Sequence, residues 1–168
     1  GTGSSSTVVD EVAKLGCRRA LVLATPFQKA EAEHLAASLG HLSAGVFAEA
    51  TMHTPVAITE KAMAVFEALD ADCVVSYGGG STIGLGKAIA WRNDTPQIVV
   101  ATTYAGSEVT PILGETENGI KVTRRDPRIL PEVVIYDPER TLDLPVAMSV
   151  SSGLNAMAHA VEAIYAQD

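Results

Sequence analysis

Apolar residues along the chain fall into short continuous runs separated by longer stretches with helical spacing, an alternation that predicts buried strands joined by covering helices. Residues 20–24 (ALVLA) predict a first strand. Residues 29–39 follow with apolar positions at Ala32, Leu35, Ala36 and Leu39 and predict a helix, which Gly40 ends. A short strand at 44–47, a helix at 58–69, a strand at 74–77, a helix to about Arg92 and a strand at 97–102 continue the order. Such βαβα succession predicts an α/β fold with a doubly wound parallel sheet, covered on both faces.

The pattern changes at 111–125. Asn118-Gly119 stands between ILGET and IKVTR, and this dipeptide between two strand-like runs predicts a β-hairpin insertion. Val133–Tyr136 reads as one more strand, ended by Asp137-Pro138. A last helix is predicted from about Ser152, with Leu154, Met157, Val161, Ile164 and Tyr165 on one side and Asn155, His159 and Glu162 on the other. Its apolar side needs a cover, either the parallel sheet or the helical second half of a longer protein.

The segment CVVSYGGGSTIGLGKAIA at 73–90 carries the strongest chemical signal. An apolar strand breaks into Gly78, Gly79 and Gly80, which let a ligand approach the backbone without meeting a Cβ, and Ser81 is placed to cap the next helix. Free N–H groups and the positive dipole end at such a start attract an anion, by about 0.3 to 2 kcal/mol from the dipole alone. A tight turn or close helix packing is the competing, less favoured reading of the three glycines. Neither standard phosphate motif is complete: Ile83 stands where a third glycine belongs, and Gly86-Lys87 lacks both the following Ser or Thr and the upstream spacing.

Composition narrows the classes. At 168 residues, 47% hydrophobic and 5% aromatic, the chain can bury one aliphatic core, and a net charge of −8 argues against nucleic acid or an anionic membrane as partner. No apolar run is long enough to span a bilayer and no secretory signal is present, so a cytoplasmic location is expected. Cys17 and Cys73 border apolar runs without CxxC spacing and read as buried free thiols. His34, His41 and His53 read as surface residues.

Three blocks together, GGGSTIGLGK at 78–87, PQIVVATTYAGSEVTP at 96–111 and SGLNAMAHAVEA at 152–163, resemble the iron-containing alcohol dehydrogenase family, in that family's order. MHTP at 52–55 and the GLNAxAHA form of the last block place the resemblance among members that reduce an activated carbon–carbon double bond of a small 4-oxo-alkenoic dicarboxylate. The resemblance implies NADH or NADPH as cofactor. It assigns Gly79, Gly80 and Ser81 to the dinucleotide pyrophosphate and Thr102, Thr103, Thr110 and Lys121 to further cofactor contacts, although simple solvation explains an exposed Lys121 as well. Glu108 would support the loop. It also implies a dinucleotide-binding domain at 1–148, the first helix of a missing all-α domain at 149–168, and a homodimer.

Three departures from the family pattern bear on chemistry. Gly84 replaces an Asp of the glycine-loop motif. The segment Thr25, Pro26, Phe27, Gln28 lacks the usual acidic residue after the first strand, so a 2′-phosphate should be tolerated. Asn155 replaces the Asp that pairs with a histidine four residues on to bind a divalent metal, so no catalytic metal is expected. Asn155 and His159 are then candidates for holding substrate, and His159 for donating a hydrogen bond or proton to a developing oxyanion. A polar helix face packed on another helix is the bland reading of the pair. Two rival functions stay open: a non-catalytic nucleotide-binding module, and a metal-dependent alcohol dehydrogenase.

Overall fold

A computed structural model describes residues 1–166 of the chain. Its strands are β1 (Ala20–Leu23), β2 (Ser43–Phe47), β3 (Cys73–Gly78), β4 (Gln97–Ala101), β5 (Ile112–Glu117), β6 (Ile120–Arg125) and β7 (Val133–Tyr136). Its α-helices are α1 (Val8–Lys14), α2 (Lys29–Leu39), α3 (Val56–Ala68), α4 (Gly80–Asn93) and α5 (Val146–Tyr165). Five strands make one parallel sheet in the order β2-β1-β3-β4-β7, and β5 and β6 form a separate antiparallel pair. This is the doubly wound sheet with hairpin insertion that the sequence predicts.

Strands β1, β3 and β4 are buried at every position, which is why they read as unbroken apolar runs rather than as alternating ones. Successive side chains feed opposite layers. Val22, Val75 and Val100 join Val8 and Val12 of α1 and Ala32, Leu35 and Leu39 of α2. On the other face, Leu21, Leu23 and Val74 join Ala62 and Phe66 of α3 and Leu85 and Ile89 of α4. Because β2 and β3 lie on opposite sides of β1, the order in which strands are added reverses there, and the carboxyl ends of β1 and β3 flank the crevice that such a switch point makes.

The hairpin turns at Asn118 (φ 50°) and Gly119 (φ 77°), the left-handed pair that a tight two-residue turn demands. Leu113 pins it to α4 by packing on Ala88 and Ile129. Beside it the buried carboxylate of Glu115 meets Arg92 Nη1 at 2.9 Å and accepts from the Thr59 hydroxyl at 3.4 Å. The Arg128 and Arg124 guanidinium groups lie 4.7 and 5.5 Å from the Trp91 ring centre.

Three local expectations change. Helix α1 was not legible, because a seven-residue helix after Ser4–Thr7 offers too little periodicity. Helix α5 begins at Val146, earlier than the expected Ser152, running straight through the Ser and Gly residues that resemble a break. Ser81 does not cap α4: Gly79 holds the cap position, no side chain bonds there, and Ser81 lies inside the first turn. The apolar side of α5 also stands clear of the sheet, with Leu154 60%, Met157 64%, Val161 55%, Ile164 77% and Tyr165 81% exposed. Of the two expected covers, the sheet is therefore not the one.

The first residues are tied to the end of β7 by Asp137, whose carboxylate accepts from the N–H groups of Gly3 (3.1 Å), Ser5 (3.0 Å) and Glu139 (3.2 Å). Burial pushes its pKa up, but the hydrogen bonds from Ser5, Gly3 and Glu139 outweigh that and hold it near 2, below the ordinary 3.8. A depressed carboxylate stabilises the fold above its unfolded pKa and loses that effect as pH falls through the folded one. Asp137→Asn should therefore be less stable than the parent in urea at pH 5. The gap should narrow as pH drops from about 4 to about 2; a gap independent of pH would contradict this role for the charge.

Candidate functional site

Three loops meet at the carboxyl ends of β1, β3 and β4. Gln28, after β1, donates from Nε2 to Thr102 Oγ1 at 3.0 Å, and its Oε1 accepts from the Thr25 hydroxyl at 3.1 Å. Thr102 N–H, after β4, donates to the Gly78 carbonyl at 3.1 Å. The glycine loop thus lies between the first βα loop and the Thr102-Thr103 segment.

Each glycine there has a different physical reason. Gly78 takes φ 154°, and a Cβ on it would meet Thr82 Oγ1 at 2.5 Å and Gln28 Oε1 at 3.0 Å. On Gly79 a Cβ would meet the Thr103 side chain at 2.6 to 2.7 Å. Packing inside the protein accounts for both. Gly80 differs, because a Cβ there would meet nothing within 4 Å. Its lack of a side chain leaves open space in front of a helix start.

That open face carries free donors. Within α4, Thr82 and Ile83 N–H donate to the Gly79 carbonyl, while among the described residues the N–H groups of Gly79, Gly80 and Ser81 find no acceptor. No acidic residue stands in the first turn of α4. Uncapped N–H groups, a positive dipole end and an absence of side chains are together what binds a phosphate.

Lys87 organises the next layer. Its side chain, 1% exposed, donates from Nζ to the carbonyls of Ser107, Thr110 (2.6 Å) and Ile112 (2.9 Å), with the Thr110 hydroxyl at 3.2 Å. Three carbonyl acceptors require all three ammonium protons. Burial lowers its pKa to about 8, against which the Glu108 charge pulls upward. Glu108 is itself buried; its Oε1 accepts from the Tyr136 hydroxyl at 2.8 Å, and burial followed by this bond pushes the Tyr136 pKa up to about 12. Among the described residues, Glu108 Oε2, Ser107 Oγ and Thr82 Oγ1 are buried and find no partner.

A further contact explains Gly84. A Cβ there would overlap Thr54 Oγ1, so the missing Asp makes room for the MHTP loop. His53 (φ 66°) and Thr54 (φ 44°) both take left-handed backbone, costly for a β-branched residue, and the Thr54 carbonyl accepts from Thr116 N–H at 3.2 Å. Strain of this kind gathers at functional sites.

Of the residues singled out in the sequence, Gly79, Gly80, Ser81, Thr102 and Thr103 come together at this crevice, whereas Thr110 is held by Lys87 of α4. Lys121 is exposed on β6 with its stem laid across Gly114, and no described contact joins it to the glycine loop. Asn155 and His159 are exposed on α5, where His159 Nδ1 lies 3.9 Å from Glu162 Oε2. The link from α5 to the crevice is Tyr104 N–H donating to Ser152 Oγ at 3.2 Å. Sequence reading noted Gln28 only as part of a segment without an acidic residue and missed its bond to Thr102, and it missed Thr54 as part of the site; the signal for Thr54 was the glycine at 84.

The sequence profile described as "Iron-containing alcohol dehydrogenase" matches residues 1–138. The chain belongs to the iron-containing alcohol dehydrogenase family. It is 68% identical, over all its residues, to a maleylacetate reductase of Rhizobium sp. strain MTP-10005, covering 48% of that protein. It is 58% identical to a maleylacetate reductase of Sphingobium indicum, covering 47% of it. Its fold superposes with a TM-score of 0.96 on the crystal structure of the Rhizobium protein and likewise, at 67% identity, on maleylacetate reductase from Agrobacterium tumefaciens, in each case over the whole chain and 48% of the other. The chain thus spans about half the length of the relatives it matches. No described helix is long and apolar enough to cross a membrane.

The family's metal can be tested against the donor set. On α5 a carboxamide, Asn155, stands one turn before His159, and the adjoining carboxylate is Glu162. Among the described residues no group of three His, Cys, Asp or Glu ligand atoms converges on this helix. A carboxamide is a weak ligand for a divalent cation compared with a carboxylate. Of the two polar residues one turn apart on this helix, His159 alone is a ready ligand for such a metal.

Proposed function

We propose that this chain, as part of its intact protein, reduces maleylacetate to 3-oxoadipate with NADH or NADPH, in the degradation of aromatic compounds. The observation that carries this reading is the uncapped start of α4 at Gly79–Ser81, inside a chain 68% identical throughout to a maleylacetate reductase. Residues 1–148 are the dinucleotide-binding domain, and 149–168, which hold most of α5, belong to a helical substrate domain. The protein is a cytoplasmic homodimer acting on a small dicarboxylate.

A bound reduced nicotinamide supplies the hydride. The N–H groups of Gly79, Gly80 and Ser81 hold the diphosphate, Thr102, Thr103 and Thr110 line the nucleotide, and Lys121 contacts it from the hairpin. Gln28 and Thr25 present amide and hydroxyl groups rather than a carboxylate, so a 2′-phosphate meets no anionic repulsion. Hydride adds to the double-bond carbon remote from the oxo group, electrons move to the oxo oxygen, and the enolate takes up one proton. His159 donates a hydrogen bond or that proton from Nε2, while Glu162 faces Nδ1; Asn155 holds a substrate carboxylate. No step is assigned to a metal.

The test is turnover by the intact protein before and after dialysis against a strong chelator. We expect 3-oxoadipate to form with consumption of one reduced nicotinamide, at an unchanged rate after chelation. Nucleotide binding without turnover would favour a non-catalytic module. Activity lost on chelation and restored by iron or zinc would favour the metal-dependent alcohol dehydrogenase reading.

A further inference from the structure

The two cysteines, unused by this function, lie together at the opposite end of the sheet. Cys73 opens β3 directly after Asp72, and Cys17 arrives through the turn after α1, where Gly16 takes φ 76°. The two sulfur atoms and an Asp72 carboxylate oxygen all lie within 4.8 Å of one another. Cys17 and Cys73 are 7% and 0% exposed, whereas Asp72 faces solvent. That carboxylate is held in place: Oδ2 accepts from Arg18 N–H at 2.8 Å and Oδ1 from Arg19 N–H at 2.9 Å.

We propose that Cys17, Cys73 and Asp72 bind a thiophilic divalent cation of the zinc and cadmium class, with water as the fourth ligand. Two thiolates with one carboxylate suit a d10 cation, and hard cations such as magnesium would not choose sulfur. Tetrahedral zinc sets its sulfur ligands ~3.8 Å apart and sulfur from oxygen by ~3.6 Å, so the present spacing, within 4.8 Å, exceeds that of a bound site by ~1 Å at most. The backbone donors on Asp72 orient the carboxylate as outer hydrogen bonds orient ligands in known sites. Solvent reaches the cluster along Asp72. Burial pushes both thiols further up from their ordinary range, so binding as thiolates releases two protons and leaves the three ligands and the cation with a net charge of −1. Bridging the starts of β1 and β3, the cation stabilises the sheet from the end away from the glycine loop.

The experiment is titration of the reduced, chelator-stripped intact protein with cadmium chloride, followed by zinc competition. The ultraviolet thiolate-to-cadmium charge-transfer band reports sulfur ligation alone, so a site of nitrogen and oxygen ligands elsewhere stays silent. The expected result is a band from this cluster that saturates at one cation per chain, is displaced by zinc, and is lost in Cys17→Ser and in Cys73→Ala. Asp72→Asn keeps both thiols and should weaken affinity by ~10-fold or more. Zinc should also raise the thermal midpoint of the parent but not of the cysteine variants. No band at saturating cadmium, a band kept in both cysteine variants, or unchanged affinity in Asp72→Asn would overturn the proposal.

Discussion

Lys87→Met should lower the free energy of unfolding by about 3 to 5 kcal/mol, the range for removing one partner of a buried charged cluster. The aliphatic stem fits a similar space, so little of the loss is cavity. What is lost is the ammonium that satisfies the carbonyls of Ser107, Thr110 and Ile112, each costing about 1 to 3 kcal/mol when buried without a donor. Glu108, with one oxygen unpartnered among the described residues, also loses a compensating charge. Nucleotide affinity should fall too, because the same ammonium fixes Thr110, which the proposed function assigns to the nucleotide. Urea unfolding measures the first effect and NADH titration the second. A change below about 1 kcal/mol would mean that water replaces the ammonium without loss.

Gly80→Val should raise the Kd for NADH by at least ~10-fold, or about 1.4 kcal/mol, with little change in thermal midpoint. Stability and binding separate at this position because a Cβ on Gly80 meets no protein atom, yet projects into the space where a phosphate would approach the free N–H groups. Gly79 offers no such separation. A side chain there strikes Thr103, so a loss of binding in a Gly79 variant would report a distorted loop as readily as a blocked ligand. Unchanged NADH affinity in a folded Gly80→Val protein would remove the diphosphate from the start of α4.

The sheet was legible because its strands are buried on both faces and its helices keep one apolar side, so that composition and period alone mark the elements. The hairpin was legible through Asn118-Gly119, whose backbone needs are specific. Short α1 was not, since seven residues hold two apolar anchors, Val8 and Val12, and no sustained period. Within the site, Gly80 leaves the open space that the sequence reading expects in front of a helix start, whereas Gly78 answers to Thr82 one turn on and to Gln28, and Gly79 to Thr103, the last two distant in sequence. The pairing of Gly84 with Thr54 escaped for the same reason. A glycine announces that something comes close, but not what. Lys87 looked like the remnant of a motif, and only the fold shows three backbone carbonyls around it.

The most direct measurement is a crystal structure of the intact protein with NADH bound. The diphosphate oxygens should lie within hydrogen-bond distance, about 2.7 to 3.2 Å, of the N–H groups of Gly79, Gly80 and Ser81, with the Gly80 Cα facing the phosphate. A coenzyme seated elsewhere, with water or a neighbouring side chain capping the start of α4, would contradict this.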